Sequence, residues 1–265
     1  WDTASPAQEY LEAGWLARAF RANPVPRSFA ADGVVVGSQE LGPLAGARAI
    51  ALNDTERFRR EARFAADATV RPRTAALAHI LKVEDDIARA AGGLSANHLF
   101  HTAFPPGPFG TALRTAAQIV AGEAGVAAVR VTHNGFDTHN GQAGIHRRLL
   151  KELAEGLVAF KGALQEIGRW DDTLIMSYAE FGRRAQENGS GGTDHGTASA
   201  HFVLGGRVRG GLYGAAPRLD RLEGGNLVHA VDFRSLYATV IERWWGGSSS
   251  GVLNGKFAAL DLLRG

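Results

Sequence analysis

The sequence predicts an α/β protein whose sheet is mostly parallel and is covered by helices on both faces. Beyond about residue 110, short apolar runs of strand length alternate with long stretches of helical periodicity. Strands separated by whole helices usually run parallel, because the chain must cross back over the sheet before each new strand begins. The first hundred residues are mainly of helical pattern, so we expect a helical N-terminal segment in front of the sheet.

Helix starts, breaks and apolar spacing define the elements before residue 104. They predict a helix from Ser5 to just before Asn23, a strand over 29–38 that is broken by a turn at Asp32-Gly33, and helices over 53–67 and 72–91.

The proline-rich loop that follows is the strongest break in the chain and predicts a subdomain seam near 104–110. Beyond it we expect a helix over 111–121, a strand over 127–132, a long amphipathic helix over 145–167, a strand over 173–178, a glycine-rich loop over 188–196, a strand over 201–204 and a last helix capped by Asp232. The whole fits a single α/β domain over 1–265. Because the chain opens at Trp1 and not at a Met, we expect it to lack an N-terminal part of a longer protein.

Composition excludes several classes of function. The chain has 29 Lys and Arg against 27 Asp and Glu, with no block of five like charges, so nucleic acid is not an expected partner. No apolar run is long enough to predict a membrane span. Cysteine is absent, which leaves His and carboxylates as the only metal ligands. The composition does not predict an oligomeric state.

Carboxylates and imidazoles cluster around three of the predicted strands, where ligands of parallel sheets usually bind. Asp137 and His139 follow the first strand, Glu180 follows the second, and Asp194 and His195 precede the third. Asp137 and His139 are two residues apart and project to the same side of an extended segment, whereas Asp194 and His195 are adjacent and diverge unless a turn reorients them. Such a set without Cys suits Zn, Mn or Fe, or with fewer imidazoles Mg or Ca.

Each of these signals also fits an ordinary structural role. The Asp137-x-His139 pair is short enough to occur by chance, Asp194 can cap a helix and His195 can be a loop histidine. Glu180 can be a structural partner of a neighbouring arginine. It is the convergence at three separate strand ends that favours the metal hypothesis.

These same segments carry a family resemblance. The motifs are Gly135-Phe-Asp-Thr-His139 with Gln142, Ala179-Glu-Phe-Gly-Arg183, Asn188 with Gly192-Thr-Asp-His-Gly196, Phe202-Val-Leu-Gly-Gly206, Gly210-Gly-x-Tyr-Gly214 and Asp232-Phe-Arg234. In this combination the chain resembles the bacterial family called domain of unknown function 1501, which is placed in the alkaline phosphatase and sulfatase superfamily.

The resemblance implies an alkaline phosphatase-like fold, a sulfatase-like metal-dependent hydrolase of phosphate or sulfate esters, and an exported, periplasmic or secreted protein. One divalent ion, such as Zn, Mn or Ca, would be held by Asp137, His139 and His195. Glu180 and Asp194 would be ligands of a second ion or orient the histidines. Arg183, Asn188 and Asn134 would contact the substrate, a small-molecule or polymer ester, or orient the ligands.

The resemblance also implies an alternative, a non-catalytic exported binding or assembly protein with a degenerate hydrolase fold. Phe181 stands where the superfamily has a metal-binding histidine. The Gly-Gly-x-Asp-Gly turn and Ser-His-Phe motif of the family's earlier region do not occur in this chain, so the nucleophile is unassigned.

Geometry distinguishes a shared metal site from a purely structural role of the same residues. Three shared ligands require donor atoms about 3 to 4 Å apart, ring nitrogens held by polar neighbours, and an affinity that falls below about pH 6, since coordination needs a neutral imidazole nitrogen. The competing account pairs Asp137 with Arg183 and leaves His195 facing solvent. A separation of more than about 10 Å between the His139 and His195 side chains would exclude a shared ion.

Overall fold

The computed structural model describes residues 1–5, 11–52 and 98–265, and the helices predicted over 53–67 and 72–91 lie outside these residues. The helices are α1 (Trp15–Ala22), α2 (Pro108–Ala121), α3 (Gln142–Glu166) and α4 (Phe233–Thr239). The strands are β1 (Ala31–Val36), β2 (Ala49–Leu52), β3 (Val126–Val131), β4 (Ile175–Met176), β5 (Gly182–Glu187), β6 (Thr193–Gly196), β7 (Val203–Leu204), β8 (Leu222–Glu223) and β9 (Asn226–Leu227).

A three-stranded parallel sheet in the order β2-β1-β3 forms the α/β part of the molecule. Side chains alternate along β1, so Val34 and Val36 pack with α2 while Val35 packs with Phe20 of α1 on the other face. Helices therefore cover both faces of this sheet. This sheet combines two strands from before the proline-rich loop with one from after it. The subdomain seam at that loop stays a prediction.

The turn predicted at Asp32-Gly33 is wrong, because β1 runs straight through it. Gly33 is needed for packing: a Cβ there would lie 2.5 Å from the side chain of Leu44. Helix α1 begins at Trp15, next to Gly14, which packs against the backbone of Pro43, where a Cβ would lie 2.1 Å from the carbonyl oxygen. The start predicted for this helix at Ser5-Pro6 borders residues 6–10, which lie outside the described residues.

The remaining sheets correct the expectation of a mostly parallel arrangement. Each has two antiparallel strands, paired as β4 with β7, β5 with β6 and β8 with β9. The strands predicted over 173–178 and 201–204 shorten to two residues each. The segment 188–196, predicted as a loop, instead contains the turn of the β5–β6 hairpin and the strand β6. Polar hairpin strands of this kind lack the apolar runs by which strands are recognised.

Helices α3 and α4 complete the description of the fold. Helix α3 packs on α2 through Leu113, Phe160 and Leu164, and Gly156 lets the side chains of α2 approach closely. Helix α4 starts at the predicted cap, where Asp232 accepts a hydrogen bond from the backbone N–H of Arg234. No helix in the described ranges is long and apolar enough to cross a membrane.

Candidate metal centre

The candidate site lies where the segment after β3 meets the β5–β6 hairpin. The hairpin crosses this segment at Gly192, where a Cβ would be only 2.5 Å from the carbonyl group of His139. Gln142, in the first turn of α3, fixes the contact, because its Oε1 accepts hydrogen bonds from the backbone N–H and the hydroxyl of Thr193 at 2.6 and 2.9 Å. Two segments far apart in sequence are thus held side by side.

Three candidate ligands converge at this junction, as the metal hypothesis requires. His195 donates a hydrogen bond through Nε2 to Oδ1 of Asp137 at 2.7 Å, and Nε2 of His139 lies 3.2 Å from the same oxygen. One donor atom from each residue lies within 4.8 Å of the other two. Tetrahedral coordination with bonds of about 2.0–2.1 Å would place donor atoms roughly 3.4 Å apart, so small side-chain rotations suffice to accommodate an ion.

Asp194 faces the other nitrogen of His139. Its Oδ1 lies 3.5 Å from Nδ1, so the His139 imidazole lies between Asp194 and Asp137. A carboxylate on the non-coordinating nitrogen is the usual partner of a metal-binding histidine, because it fixes the tautomer and the ring plane. The structure therefore gives Asp194 the geometry of an orienting group. It lies in β6 and does not cap a helix.

Asn188 links the same parts through both ends of its amide. The Nδ2 donates to the carbonyl oxygen of His139 at 3.0 Å and to Oδ1 of Asp194 at 3.4 Å. The Oδ1 accepts from the backbone N–H groups of Ser190 and Gly192 at 2.9 and 3.1 Å. Asn188 thus orders the hairpin turn and orients Asp194, and the four bonds of its amide go to these groups and not to an imidazole nitrogen.

Hydrogen bonds keep both carboxylates of the site ionised. The hydrogen bond from His195 holds the pKa of Asp137 below its usual value, and the nearby His139 and Arg183 act in the same direction. The hydrogen bond from Asn188 lowers the pKa of Asp194, with His139 adding to the effect. Both groups are therefore anionic at neutral pH, as a metal ligand and its orienting partner must be.

Two predicted site residues do not reach the cluster. Glu180 is exposed and lies outside the group of converging ligands found in the described residues, so its assignment to a second ion is not supported. The neighbouring Phe181, and not Glu180, contacts His195. Asn134 is also exposed, and none of the hydrogen bonds of the described site involves it.

The competing structural account fits only in part. Arg183 Nη2 is 3.9 Å from Asp137 Oδ1, a long ion pair, but His195 is bonded to Asp137 and does not simply face solvent. Thr138, between the two ligands of the first segment, is buried and hydrogen-bonded to His146 at 2.8 Å, which occupies its hydroxyl.

Sequence reasoning gave no role to two contacts of this site, the buried Thr138–His146 pair and the stacking of Phe181 on His195 at a ring distance of 3.8 Å. The spacing Phe181-x-Arg183 could have indicated the stacking contact, because side chains two residues apart project to one face of an extended segment.

Two imidazoles and one carboxylate around a single point, on an α/β fold, define a candidate centre for one divalent metal ion. A family model described as "Protein of unknown function (DUF1501)" matches residues 2–244, so the chain belongs to that family, as its motifs predicted. Comparisons with curated proteins and with solved structures found no match.

Proposed function

We propose that the protein is a metal-dependent hydrolase of phosphate or sulfate esters, with a sulfatase-like, alkaline phosphatase-related fold. The observation that carries this proposal is the convergence of Asp137, His139 and His195 within 4.8 Å, with Asp194 on the outer nitrogen of His139. Three protein ligands leave coordination positions open, which is the arrangement of catalytic rather than structural zinc sites. A bound ion would activate water or polarise an ester oxygen.

The protein's own residues would hold and orient that centre. All three ligands are exposed, which leaves the candidate site open to a small-molecule or polymer ester. The side chains of Asp137, His139 and His195 are 63%, 50% and 44% exposed. We place one ion here and assign Zn or Mn ahead of Ca, because two of the three ligands are imidazoles and calcium prefers oxygen.

The test compares metal content and turnover in matched variants. Elemental analysis and titration with Zn, Mn and Ca should give about one ion per chain for the unmodified protein. His139→Ala and His195→Ala should weaken binding by more than about 100-fold, since each removes a ligand, whereas even outer partners of a metal site are worth about 10–100-fold. His229→Ala, which removes an exposed histidine outside the cluster, is the control. Hydrolysis of aryl phosphate and aryl sulfate esters should follow metal content. Absence of bound metal, with no hydrolysis after metal addition, would refute the proposal.

A non-catalytic exported binding or assembly protein is the second candidate. It is favoured by two observations: Glu180 lies outside the group of converging ligands, and the hydroxyl of Thr138, between two of those ligands, is hydrogen-bonded to His146. Metal binding without ester turnover in the full-length protein would support this candidate. Export to the periplasm is part of both proposals, and fractionation of the native host tests it.

A further inference from the structure

Arg183 joins the two ligand-bearing segments through their backbones. Its Nη1 donates to the carbonyl oxygen of Thr193 at 2.6 Å, and its Nη2 donates to that of Phe136 at 2.5 Å. These two residues immediately precede Asp194 and Asp137 in the chain. The guanidinium side chain is only 17% exposed, and its planar fork holds both carbonyl groups at a fixed separation.

Phe181 holds the ring of His195. The two rings are parallel within 5° and their centroids are 3.8 Å apart, while the guanidinium carbon of Arg183 lies 5.0 Å from the Phe181 centroid. Arg183 and His195 are partners in the β5–β6 ladder, so all three side chains share one face of the hairpin.

The two histidine ligands are oriented by different means. His139 has Asp194 on its outer nitrogen, whereas the bond to Asp137 is the hydrogen bond that His195 makes within the described residues. Stacking on Phe181 is therefore what sets the plane of the His195 ring and directs Nε2 towards Asp137.

We propose that Arg183 and Phe181 are positioning residues for the metal site: Arg183 sets the distance between the two segments, Phe181 sets the His195 ring, and together they determine the metal affinity. This inference rests on the proposed metal site but not on ester hydrolysis. Of the two roles expected for Arg183, substrate contact and orientation of the ligands, it favours the second, because two of its N–H groups are bonded to backbone carbonyls.

Arg183 affects the affinity in two opposite ways. Its fork improves the geometry, whereas its positive charge, 3.9 Å from Asp137, opposes a cation. Arg183→Lys separates these effects, because the charge remains while a single ammonium group cannot reproduce the two-pronged contact. Arg183→Met removes both, so its affinity should fall less than that of Arg183→Lys.

The test measures Zn and Mn dissociation constants for the full 265-residue chain. We expect Arg183→Lys and Phe181→Leu to raise the dissociation constant by about 10–100-fold, the usual effect of losing an outer partner. Phe181→Tyr, which keeps the stacked ring, should restore binding to within about threefold of the unmodified chain. Phe109→Leu is the matched control, because Phe109 stacks at 4.2 Å on His133, which is no candidate ligand. It should lower the melting temperature without changing the dissociation constant.

The visible spectrum of the Co(II)-loaded chain supplies a readout that loss of stability alone would not move. Arg183→Lys and Phe181→Leu should shift its bands, and Phe109→Leu should not. Binding and spectra equal to those of the unmodified chain in both variants would overturn the inference, while a loss of binding in Phe109→Leu equal to that in Phe181→Leu would show a general effect of stability and overturn it as well. Failure of the unmodified chain to bind any metal would instead refute the metal site itself.

Discussion

Replacing Gly192 with alanine would insert a methyl group between the two halves of the candidate site. The new Cβ would lie 2.5 Å from the carbonyl carbon and oxygen of His139 and 2.9 Å from the backbone nitrogen of Asn140. These are backbone atoms, so no side-chain rotation relieves the clash. Ordinary contact begins at 3.4 Å, so the hairpin and the His139 segment must separate by about 0.9 Å.

That displacement exceeds what a metal site tolerates, since ligand distances hold to within about 0.2 Å. We expect the metal dissociation constant of Gly192→Ala to rise by at least about tenfold, and the free energy of unfolding to fall by about 1–3 kcal/mol, the usual cost of overpacking.

Isothermal titration and urea unfolding measure both quantities. Gly189→Ala is the control, because Gly189 is in the same hairpin turn and a Cβ there meets no atom within 4 Å. The reasoning fails if Gly192→Ala binds metal as tightly as Gly189→Ala does.

Three further substitutions test other parts of the structure. Asn188→Asp replaces a donor to Asp194 with a negative charge, so the pKa of Asp194 should rise, as an NMR titration would show, and metal affinity should fall; an unchanged pKa would contradict this. Burial raises the pKa of Tyr178 to about 12, so its contribution to stability is complete below pH 10 and is lost as the pH rises towards 12. Tyr178→Phe should therefore remove about 1.4 kcal/mol per pH unit from the alkaline decline in unfolding free energy, and urea titrations that show the same decline would refute this. Leu164→Ala should cost about 2–5 kcal/mol of stability without altering the metal dissociation constant, because the side chain is fully buried between α2 and α3; a changed constant in the folded variant would contradict the separation of core and site.

Local sequence patterns predicted the first two candidate ligands, Asp137 and His139. Asp137 and His139 lie on the same side of their segment, as their spacing of two residues predicted, with His139 Nε2 3.2 Å from Asp137 Oδ1, although the backbone turns at Asp137, where the N–H of Thr138 donates to the carbonyl oxygen of Phe136. Local patterns also predicted the long helix α3, whose apolar stripe was visible over 145–167, and the cap of α4 at Asp232.

The positions of the other candidate ligands, His195 and Glu180, depended on contacts that local patterns do not encode. The segment 188–196 reads as a glycine-rich loop, yet β6 pairs with β5 and brings His195 to Asp137 across 58 positions of sequence. Glu180 has the chemistry of a ligand and a suitable position in the chain, but among the described residues it lies outside the group of converging ligands, and its neighbour Phe181 is the residue that contacts His195.

The sequence by itself determined the α/β class and which side chains could bind a metal, because composition and periodicity act through neighbouring residues. Its motifs identified the family. The tertiary structure decided which of these side chains meet. That depends on one close backbone crossing at Gly192 and on one guanidinium between Thr193 and Phe136. A shift of one residue in the β5–β6 register would turn His195 to the other face of the hairpin, because strand side chains alternate with a period of two.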